Sequence, residues 1–332
     1  MVEIEQGPLR PPSEARSLLI RLVRNCPWNK CLFCPAYKGE KFSLRCEKEI
    51  LAEIALLAAE PGAEAVRTVF LQDADALIMP AETLAAVLRA VRRAFPGLER
   101  VTAYARSATL CLREVGALKV LKEAGLTRIH VGVESGSDET LAFVKKGVTA
   151  AGQLEGCARV KAAGLELCCY VMPGLGGRRL SGRHAVETGR LIAQIEPDHL
   201  RLRTCFVLEG TPLAAELAAG RFEPLGEEEI VRELRTFLSE LSKTRTELIS
   251  DHRINLLFEL QGSLPRDHAR LLAIIDRFLA LGPEDKDLFI AGRRLGLIRS
   301  MDDLYKPGAL DLIKQYKHQY VPANPVPRGL LF

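Results

Sequence analysis

The chain has 332 residues, of which 48% are hydrophobic and 6% aromatic, so it can form one large α/β domain with an appendage or two medium domains. Its net charge of +4 is mild for this length and gives no support for a dedicated nucleic-acid surface, although a local basic patch stays open. The N-terminus lacks the apolar core of a signal peptide, and no apolar run reaches membrane-spanning length. Nine cysteines without disulfide-like spacing favour a reducing compartment, so we expect a cytoplasmic protein without a membrane segment.

Strand-like apolar runs alternate with helical stretches over the first two-thirds of the chain. The predicted strands are residues 18–23, 66–71, 101–105, 128–133, 165–172 and 199–207. The predicted helices among them are residues 47–60, 81–94, 112–124, 137–146, 150–163 and 184–194. This order predicts an α/β fold with a parallel sheet covered by helices. It fits a partial (β/α)6 barrel, with a doubly wound open sheet as the alternative.

The pattern becomes helical towards the C-terminus, with predicted helices at 227–242, 267–281 and 310–320. We therefore divide the chain into an extended leader (1–16), a barrel (17–243) and a C-terminal helical extension (244–332). The proline-rich end, residues 321–327, is predicted to be an extended strap or disordered.

Three cysteines, Cys26, Cys31 and Cys34, follow the first predicted strand within nine residues. Soft thiolate ligands favour iron–sulfur clusters, zinc and Cu(I). Structural zinc usually has four ligands in two separated pairs, and no second pair of cysteine or histidine residues lies nearby. Three thiolates on a four-iron cluster would leave one iron open to a substrate or cofactor, whereas an electron-carrying cluster normally has four. A small zinc loop and reduced core cysteines are the alternatives.

Residues 26–34 (Cys-Pro-Trp-Asn-Lys-Cys-Leu-Phe-Cys) resemble the cluster loop of the radical S-adenosylmethionine (SAM) superfamily. The family spacing is three residues and then two, whereas this chain has four and then two. Residues 132–137 (Gly-Val-Glu-Ser-Gly-Ser) resemble a segment of the methylthiotransferase-like and cyclase-like groups. Residues 173–177 stand where these relatives have Gly-Leu-Pro-Gly-Glu, and residues 210–213 are similar to their Gly-Thr-Pro-Leu turn.

The resemblance implies a [4Fe–4S] cluster ligated by Cys26, Cys31 and Cys34, with the amine and carboxylate of SAM on the open iron. It implies reductive cleavage of SAM to methionine and a 5′-deoxyadenosyl radical that abstracts hydrogen from a substrate. Reduced ferredoxin or flavodoxin would supply the electron, and an exposed cluster would need anaerobic conditions. Many cyclase-like relatives have a cobalamin domain before the cysteines. Only 25 residues precede Cys26, so we expect no cobalamin dependence unless the tail supplies a site.

The resemblance also implies a SAM site built from strand ends, while it assigns no catalytic residue. Asp73 matches by position only, because Gln-Asp-Ala stands where the family has a Gly-Gly-Glu-like turn for the methionyl amine. Capping of a helix or turn is the alternative for Asp73 and for Asp75. The implied SAM residues are Phe33 against the adenine, Asp73, Glu134, Ser135 and Gly136 at the ribose and methionyl groups, and Met172 and Gly174 at the turn over the adenine.

Strand alternation places charged residues on the face predicted to point into the barrel. On the sixth strand, Arg201 and Arg203 share one face, and Leu200 and Leu202 share the other. The same alternation turns further polar residues inward, namely Thr102, Tyr104, Arg106, His130, Glu134 and Glu166. We expect Arg106 and Arg203 to bind the carboxylate of SAM or of the substrate. An internal salt-bridge network of Glu134, Glu166 and the arginines is the alternative.

This excess of positive charge favours a small anionic substrate, such as a metabolite or a tetrapyrrole precursor. Modification of tRNA or of a peptide is the alternative within the enzyme class, although the mild net charge speaks against nucleic acid. A non-catalytic iron–sulfur or zinc-binding protein is the alternative outside that class.

Overall fold

The computed structural model describes residues 4–320 and residue 326. The main sheet has eight strands in the order β1-β4-β5-β6-β7-β8-β9-β10, and β2 and β3 form a separate pair. The strands are Leu18–Arg21 (β1), Val23–Arg24 (β2), Ser43–Leu44 (β3), Thr68–Gln72 (β4), Arg100–Ala105 (β5), Arg128–Glu134 (β6), Glu166–Val171 (β7), His199–Leu202 (β8), Thr246–Ile249 (β9) and Gly262–Leu264 (β10).

Helices connect most of these strands and continue after the last one. They are Glu47–Ala58 (α1), Ala81–Ala94 (α2), Ser107–Leu110 (α3), Val115–Glu123 (α4), Asp138–Phe143 (α5), Ala150–Ala162 (α6), Gly177–Ile195 (α7), Pro212–Ala218 (α8), Glu227–Ser239 (α9), His268–Ala280 (α10), Pro283–Arg294 (α11), Met301–Leu304 (α12) and Ala309–Tyr316 (α13). Among the described residues, no helix combines the length and apolarity that a membrane crossing requires.

The strand registers confirm the predicted α/β fold with a parallel sheet. Leu19 lies opposite Phe70, Phe70 opposite Thr102, and Thr102 opposite Arg128, all in parallel pairs. Parallel neighbours need a crossover connection, which the intervening helices supply. All six predicted strands are present, and the arrangement is consistent with a partial barrel.

Two strands of the main sheet were not predicted. β9 pairs in parallel with β8, and β10 pairs antiparallel with β9. Both are short, and they lie in the segment 244–332 that we expected to be helical, so that expectation was wrong for these residues. The predicted domain boundaries themselves stay predictions. The predicted strap falls outside the described residues except for Val326, which forms an isolated parallel bridge with Leu208.

The chain divides into two compact units. The first consists of the described residues up to Val133 together with Lys145–Cys169, and it holds the cysteine loop. The second consists of Glu134–Val144 and the described residues from Tyr170 onwards.

In the first unit, the helix α2 shows how the apolar pattern builds the core. Leu84, Leu88 and Val91 recur at helical spacing and are fully buried, so one face of the helix is apolar. Val69 and Leu71 on β4 are also fully buried. The opposite side of the sheet is filled as well, because Phe70 and Tyr104 pack edge to face with ring centroids 5.1 Å apart.

The leader contributes a buried carboxylate, Glu14, to the first unit. Its side chain accepts a hydrogen bond from Ser17 at 2.6 Å, and His130 Nε2 and Arg100 Nη2 each lie 3.3 Å from its oxygens. Burial raises the pKa of Glu14, but the hydrogen bonds from His130 and Ser17 and the charge of Arg100 more than offset this and lower it to about 2. Glu166 pairs with Arg128 at 2.7 Å. His130 and Glu166, two of the residues predicted to point inward, therefore pair with Glu14 and Arg128, partners that the alternation pattern did not identify.

We expect Glu14→Gln to lower the free energy of unfolding by about 2 kcal/mol at neutral pH, because it leaves His130 and Arg100 without their acceptor charge. A folded-state pKa held below its ordinary value of 4.5 stabilises the fold above that pH and loses this contribution as the pH falls towards 2. Urea unfolding at several pH values should therefore show the wild type and the variant converging in acid. The exposed Glu60→Gln is the control, and a difference that does not depend on pH would contradict the assignment.

Candidate functional site

The loop that follows β2 presents Cys26, Cys31 and Cys34, all half-buried. Asn25 and Asn29 adopt left-handed backbone angles, φ 68° and 48°, which asparagine tolerates better than most residues. The backbone N–H of Asn29 lies 3.5 Å from Cys26 Sγ, and Lys38 Nζ donates to the carbonyl of Asn29 at 2.7 Å. The loop is thus folded back on itself by its own polar contacts.

A buried carboxylate, Asp73, anchors this loop to the end of β4. One of its oxygens accepts a hydrogen bond from the hydroxyl of Tyr37, and the other accepts one from Arg21 Nη2 at 2.9 Å. A Cβ added to Gly7 would lie 2.5 Å from the carboxylate, so the leader backbone packs directly against it. Protein groups therefore occupy both carboxylate oxygens. The predicted contact of Asp73 with the methionyl amine stays a prediction.

The surroundings of Tyr37 keep its hydroxyl protonated, so that it can donate a hydrogen bond to Asp73. Burial raises the pKa of Tyr37, and the charge of Asp73 and nearby Cys34 and Cys26 raise it further. Burial also raises the pKa of Asp73, which the hydrogen bond from Tyr37 and the charge of Arg21 oppose. Tyr37 is therefore a hydrogen-bond donor between the buried carboxylate and two of the three thiols.

The thiols fit an iron–sulfur cluster better than a single metal ion. None of the nine cysteines forms a disulfide. Among the described residues, no group of three cysteine, histidine or acidic side chains is gathered as a single ion would require. A four-iron cluster binds each cysteine at a different iron, so a loop with three half-buried thiols can supply three of its ligands. The assignment of the three cysteines as ligands stays a prediction.

Two cations lie over the ring of Trp28 in the first unit, and a third lies near the ring of Phe33. We call Trp28, Lys30, Arg106, Lys145 and Lys146 the Trp28 basic patch. Trp28 Nε1 donates to the carbonyl of Lys145 at 2.7 Å. Lys30 Nζ lies 4.8 Å and Arg106 Cζ 5.1 Å from the ring centroid, within cation–π range. Lys146 Nζ lies 5.8 Å from the ring of Phe33. Lys30, Arg106 and Lys145 form no ion pair with any carboxylate in the described part of the chain.

Asp75 has the capping role that the sequence left open. It is fully buried and accepts hydrogen bonds from Thr109 Oγ1 at 2.5 Å and from the backbone N–H of Arg106 at 3.2 Å. Burial raises its pKa to about 6. Asp75 thus fixes the turn after β5 from which Arg106 projects.

In the second unit, the end of β6 forms a tight polar turn. Glu134 has a left-handed backbone, φ 64°, and its carbonyl accepts the N–H of Met172 at 3.0 Å. Ser135 is fully buried, and its Oγ lies 2.8 Å from His184 Nδ1. A Cβ at Gly136 would lie 2.4 Å from the carbonyl oxygen of Glu187, so α7 requires glycine there.

The turn after β7 is held by a second helix. The N–H of Gly174, which has φ 85°, donates to Glu233 Oε1 on α9 at 2.6 Å. Glu233 Oε2 accepts from Ser181 at 2.5 Å, and His184 Nε2 lies 3.2 Å from the carbonyl oxygen of Met172. The sequence analysis missed His184 and Glu233. A signal existed for Glu233, since it interrupts the apolar face that Ile230, Leu234 and Phe237 form on α9.

The two arginines of the sixth strand have different surroundings. Arg201 Nη1 contacts both carboxylate oxygens of Asp251, at 2.7 and 2.8 Å, so the expectation that Arg201 needs Glu134, Glu166 or a ligand was wrong. Arg203, just after β8, forms no ion pair among the described residues. Burial, together with the charge of Arg203, lowers the pKa of His252 to about 4. Arg203 is therefore a cation whose charge the described residues leave uncompensated.

The chain thus combines a parallel α/β sheet with three thiols on the loop that follows β2. The sequence matches the family model of the Radical SAM superfamily over residues 20–188, and the chain belongs to this superfamily. Members of the superfamily are enzymes that bind a [4Fe–4S] cluster and SAM.

Two curated relatives and one solved structure show the range of the similarity. A biotin synthase of Bordetella petrii is 30% identical over 216 residues, which cover 62% of this chain and 58% of the relative. A tRNA-2-methylthio-N(6)-dimethylallyladenosine synthase of Neisseria meningitidis is 27% identical over 268 residues, 76% of this chain and 57% of the relative. The chain spans between 20% and 58% of the length of the curated relatives that it matches.

The solved structure is the radical SAM methyltransferase TsrM from Kitasatospora setae, determined with cobalamin and a [4Fe–4S] cluster bound. It superposes with a TM-score of 0.50 at 14% identity, over 92% of this chain and 61% of that one. At this identity the likeness concerns the fold alone.

We expect Tyr37→Phe to lower the free energy of unfolding by about 1.5–3 kcal/mol, because Asp73 loses a hydrogen bond to a charged acceptor. Amide exchange in residues 25–40 should accelerate, since this contact ties the loop to β4. Tyr305→Phe, at an exposed tyrosine, is the control and should change neither quantity. Unchanged exchange in the Tyr37 variant would show that Asp73 does not anchor the loop.

Proposed function

We propose that this chain is a radical SAM enzyme in which Cys26, Cys31 and Cys34 hold a [4Fe–4S] cluster and the substrate is a small anionic molecule. The observation that carries the proposal is a folded loop with three free, half-buried thiols inside the matched residues 20–188. When bound, the cluster supplies the electron that cleaves SAM to methionine and a 5′-deoxyadenosyl radical, which abstracts hydrogen from the substrate. We propose reduced ferredoxin or flavodoxin as the electron donor and the cytoplasm as the location.

The residues proposed for SAM fall into a first-unit group and a second-unit group. In the first unit, Phe33 offers its ring to the adenine, and Arg106 offers a cation without an ion pair to the carboxylate. Asp73 acts chiefly through its anchoring of the loop. In the second unit, the turns at 134–136 and 172–174 present backbone and side-chain groups to the ribose, methionyl group and adenine.

An anionic substrate is supported by Arg203, whose charge lacks an ion-pair partner among the described residues. Because an uncompensated cation beside a buried histidine is costly, a carboxylate or phosphate there would be stabilising. The Trp28 basic patch, taken by itself, also gives the first unit a preference for anionic ligands.

Modification of tRNA is the second candidate. A tRNA-modifying synthase is among the relatives, and the aromatic ring and cations of the Trp28 basic patch suit a phosphate-linked chain of bases. We rank it second because the ring of Trp28 is already covered by its own cations.

Cys26→Ala, Cys31→Ala and Cys34→Ala should each lose the four-iron content that the reconstituted wild type reaches, and with it the formation of 5′-deoxyadenosine. Iron and sulfide analysis measures the cluster content, and chromatography of anaerobic reactions measures the 5′-deoxyadenosine that is formed. Cys46→Ser is the matched control, because this exposed cysteine caps α1 and serine can replace it there. Full iron loading with turnover in any of the three alanine variants would refute the ligand assignment.

Small carboxylic acids and phosphate monoesters should stimulate SAM cleavage, whereas their neutral amide and alcohol counterparts should not. Arg203→Met should reduce the stimulation about tenfold or more while sparing uncoupled cleavage and iron content, because methionine keeps the length but not the charge. The exposed Arg245→Met is the control. Equal stimulation by the neutral counterparts, or full stimulation in the Arg203 variant, would exclude an anion site at Arg203.

A further inference from the structure

Four side chains of the second unit form a buried polar group, and we call Ser135, His184, Thr188 and Glu233 the turn network. His184 contacts Ser135 Oγ at 2.8 Å through Nδ1 and the carbonyl oxygen of Met172 at 3.2 Å through Nε2. Thr188 Oγ1 accepts the N–H of Gly136 at 2.8 Å, and Glu233 accepts the N–H of Gly174 at 2.6 Å. The network thus touches both turns, 134–136 and 172–174, from helices α7 and α9.

The hydrogen-bond chemistry fixes the protons of this network. The carbonyl oxygen of Met172 can only accept, so His184 Nε2 carries a proton and donates. Burial lowers the pKa of His184, so the ring is neutral and Nδ1 must accept. The hydroxyl of Ser135 therefore donates to Nδ1, and its oxygen in turn accepts the N–H of Ser137 at 3.0 Å. This assignment gives each of the three contacts, His184 to Met172, Ser135 to His184 and Ser137 to Ser135, one donor and one acceptor.

Glu233 holds its turn in a comparable way. Its two oxygens divide their roles, since Oε1 accepts from Gly174 and Oε2 accepts from Ser181 at the start of α7. Its side chain is almost fully buried, although it lies on a helix whose neighbouring acidic residue, Glu228, is paired at the surface. Burial of a carboxylate is unfavourable unless it is hydrogen-bonded, so a surface role does not account for Glu233. Residue 233 also lies outside the matched residues 20–188.

We propose that His184 and Glu233 are positioning residues that hold the two SAM-binding turns in one arrangement, so that α9 forms part of the SAM site without touching SAM. This inference rests on the proposed function. It assigns a role to a helix that follows the family-matched part of the chain.

The test measures SAM binding and cleavage by the iron-loaded full chain and by variants at Glu233. Glu233→Ala, which removes both acceptors, should raise the KM for SAM and the Kd for S-adenosylhomocysteine about tenfold, with kcat changed less than about twofold. Glu233→Gln retains Oε1 as an acceptor and should restore affinity to within about threefold of the wild type. Glu228→Ala, at a half-buried acid of the same helix that pairs with Arg232 and Lys286, is the matched control and should change neither constant.

His184 supplies a second, independent pair of variants. His184→Gln can still donate to Met172, and His184→Asn can still accept from Ser135. Each of these variants should therefore lose less affinity for SAM than His184→Ala does. If Glu233→Ala fails to fold, the His184 variants still test whether the turn network is required for SAM affinity. A thermal unfolding midpoint measured beside each Kd separates affinity from stability.

The outcomes are distinguishable. Affinity lost in the alanine variants and restored in the conservative ones, at unchanged iron content, supports the inference. Wild-type affinity in folded Glu233→Ala and His184→Ala, with only the unfolding midpoint lowered, overturns it and leaves the proposed function intact. A wild-type chain that loads iron but binds no SAM overturns both.

Discussion

The burial of the Asp73 carboxylate is the constraint on which the cysteine loop depends. A carboxylate without solvent must be paired and hydrogen-bonded, and here the partners are Tyr37 from the loop and Arg21 from β1. Protein groups therefore tie the loop to the end of β4.

The same principle recurs at other strand ends. Asp75 holds the turn after β5, and Glu233 holds the turn after β7. In each case a buried acid accepts a backbone N–H that no strand partner satisfies, which fixes the turn without adding an apolar side chain. A polar group at the carboxyl end of a parallel strand can thus bind a ligand directly, or it can hold the turn that binds the ligand. Residue type alone does not show which of these two roles a group has.

The sequence predicted the fold well because its signals are local. The period of the apolar residues in α2 fixed both ends of that helix to the residue, and the six strands of the barrel followed from their apolar runs. β9 and β10 were missed because four residues and three residues carry too little periodicity. The cysteine spacing and the segment 132–137 pointed to the family, since motifs are contiguous in the chain. His184 and Glu233 were missed because their partners lie about 10 to 60 residues away and no motif contains them.

Charge was the least predictable property of the candidate site, and the two arginines of the sixth strand show why. The alternation of side chains placed Arg201 and Arg203 on one face of the strand, and nothing in the pattern distinguished their charges. The partner of Arg201 is Asp251, 50 residues further along the chain and beyond β9, a strand that the pattern did not reveal. Glu166 was likewise considered, in the alternative interpretation, as a partner of the inward arginines, but it pairs with Arg128 at the start of a nearer strand. Counting charges on a strand face therefore overstates the charge available to a ligand, because any carboxylate in the fold can compensate it. Because Asp251 compensates Arg201, Arg203 is the arginine of the sixth strand on which the proposed anion site rests. A single guanidinium can engage one carboxylate or phosphate through two parallel hydrogen bonds.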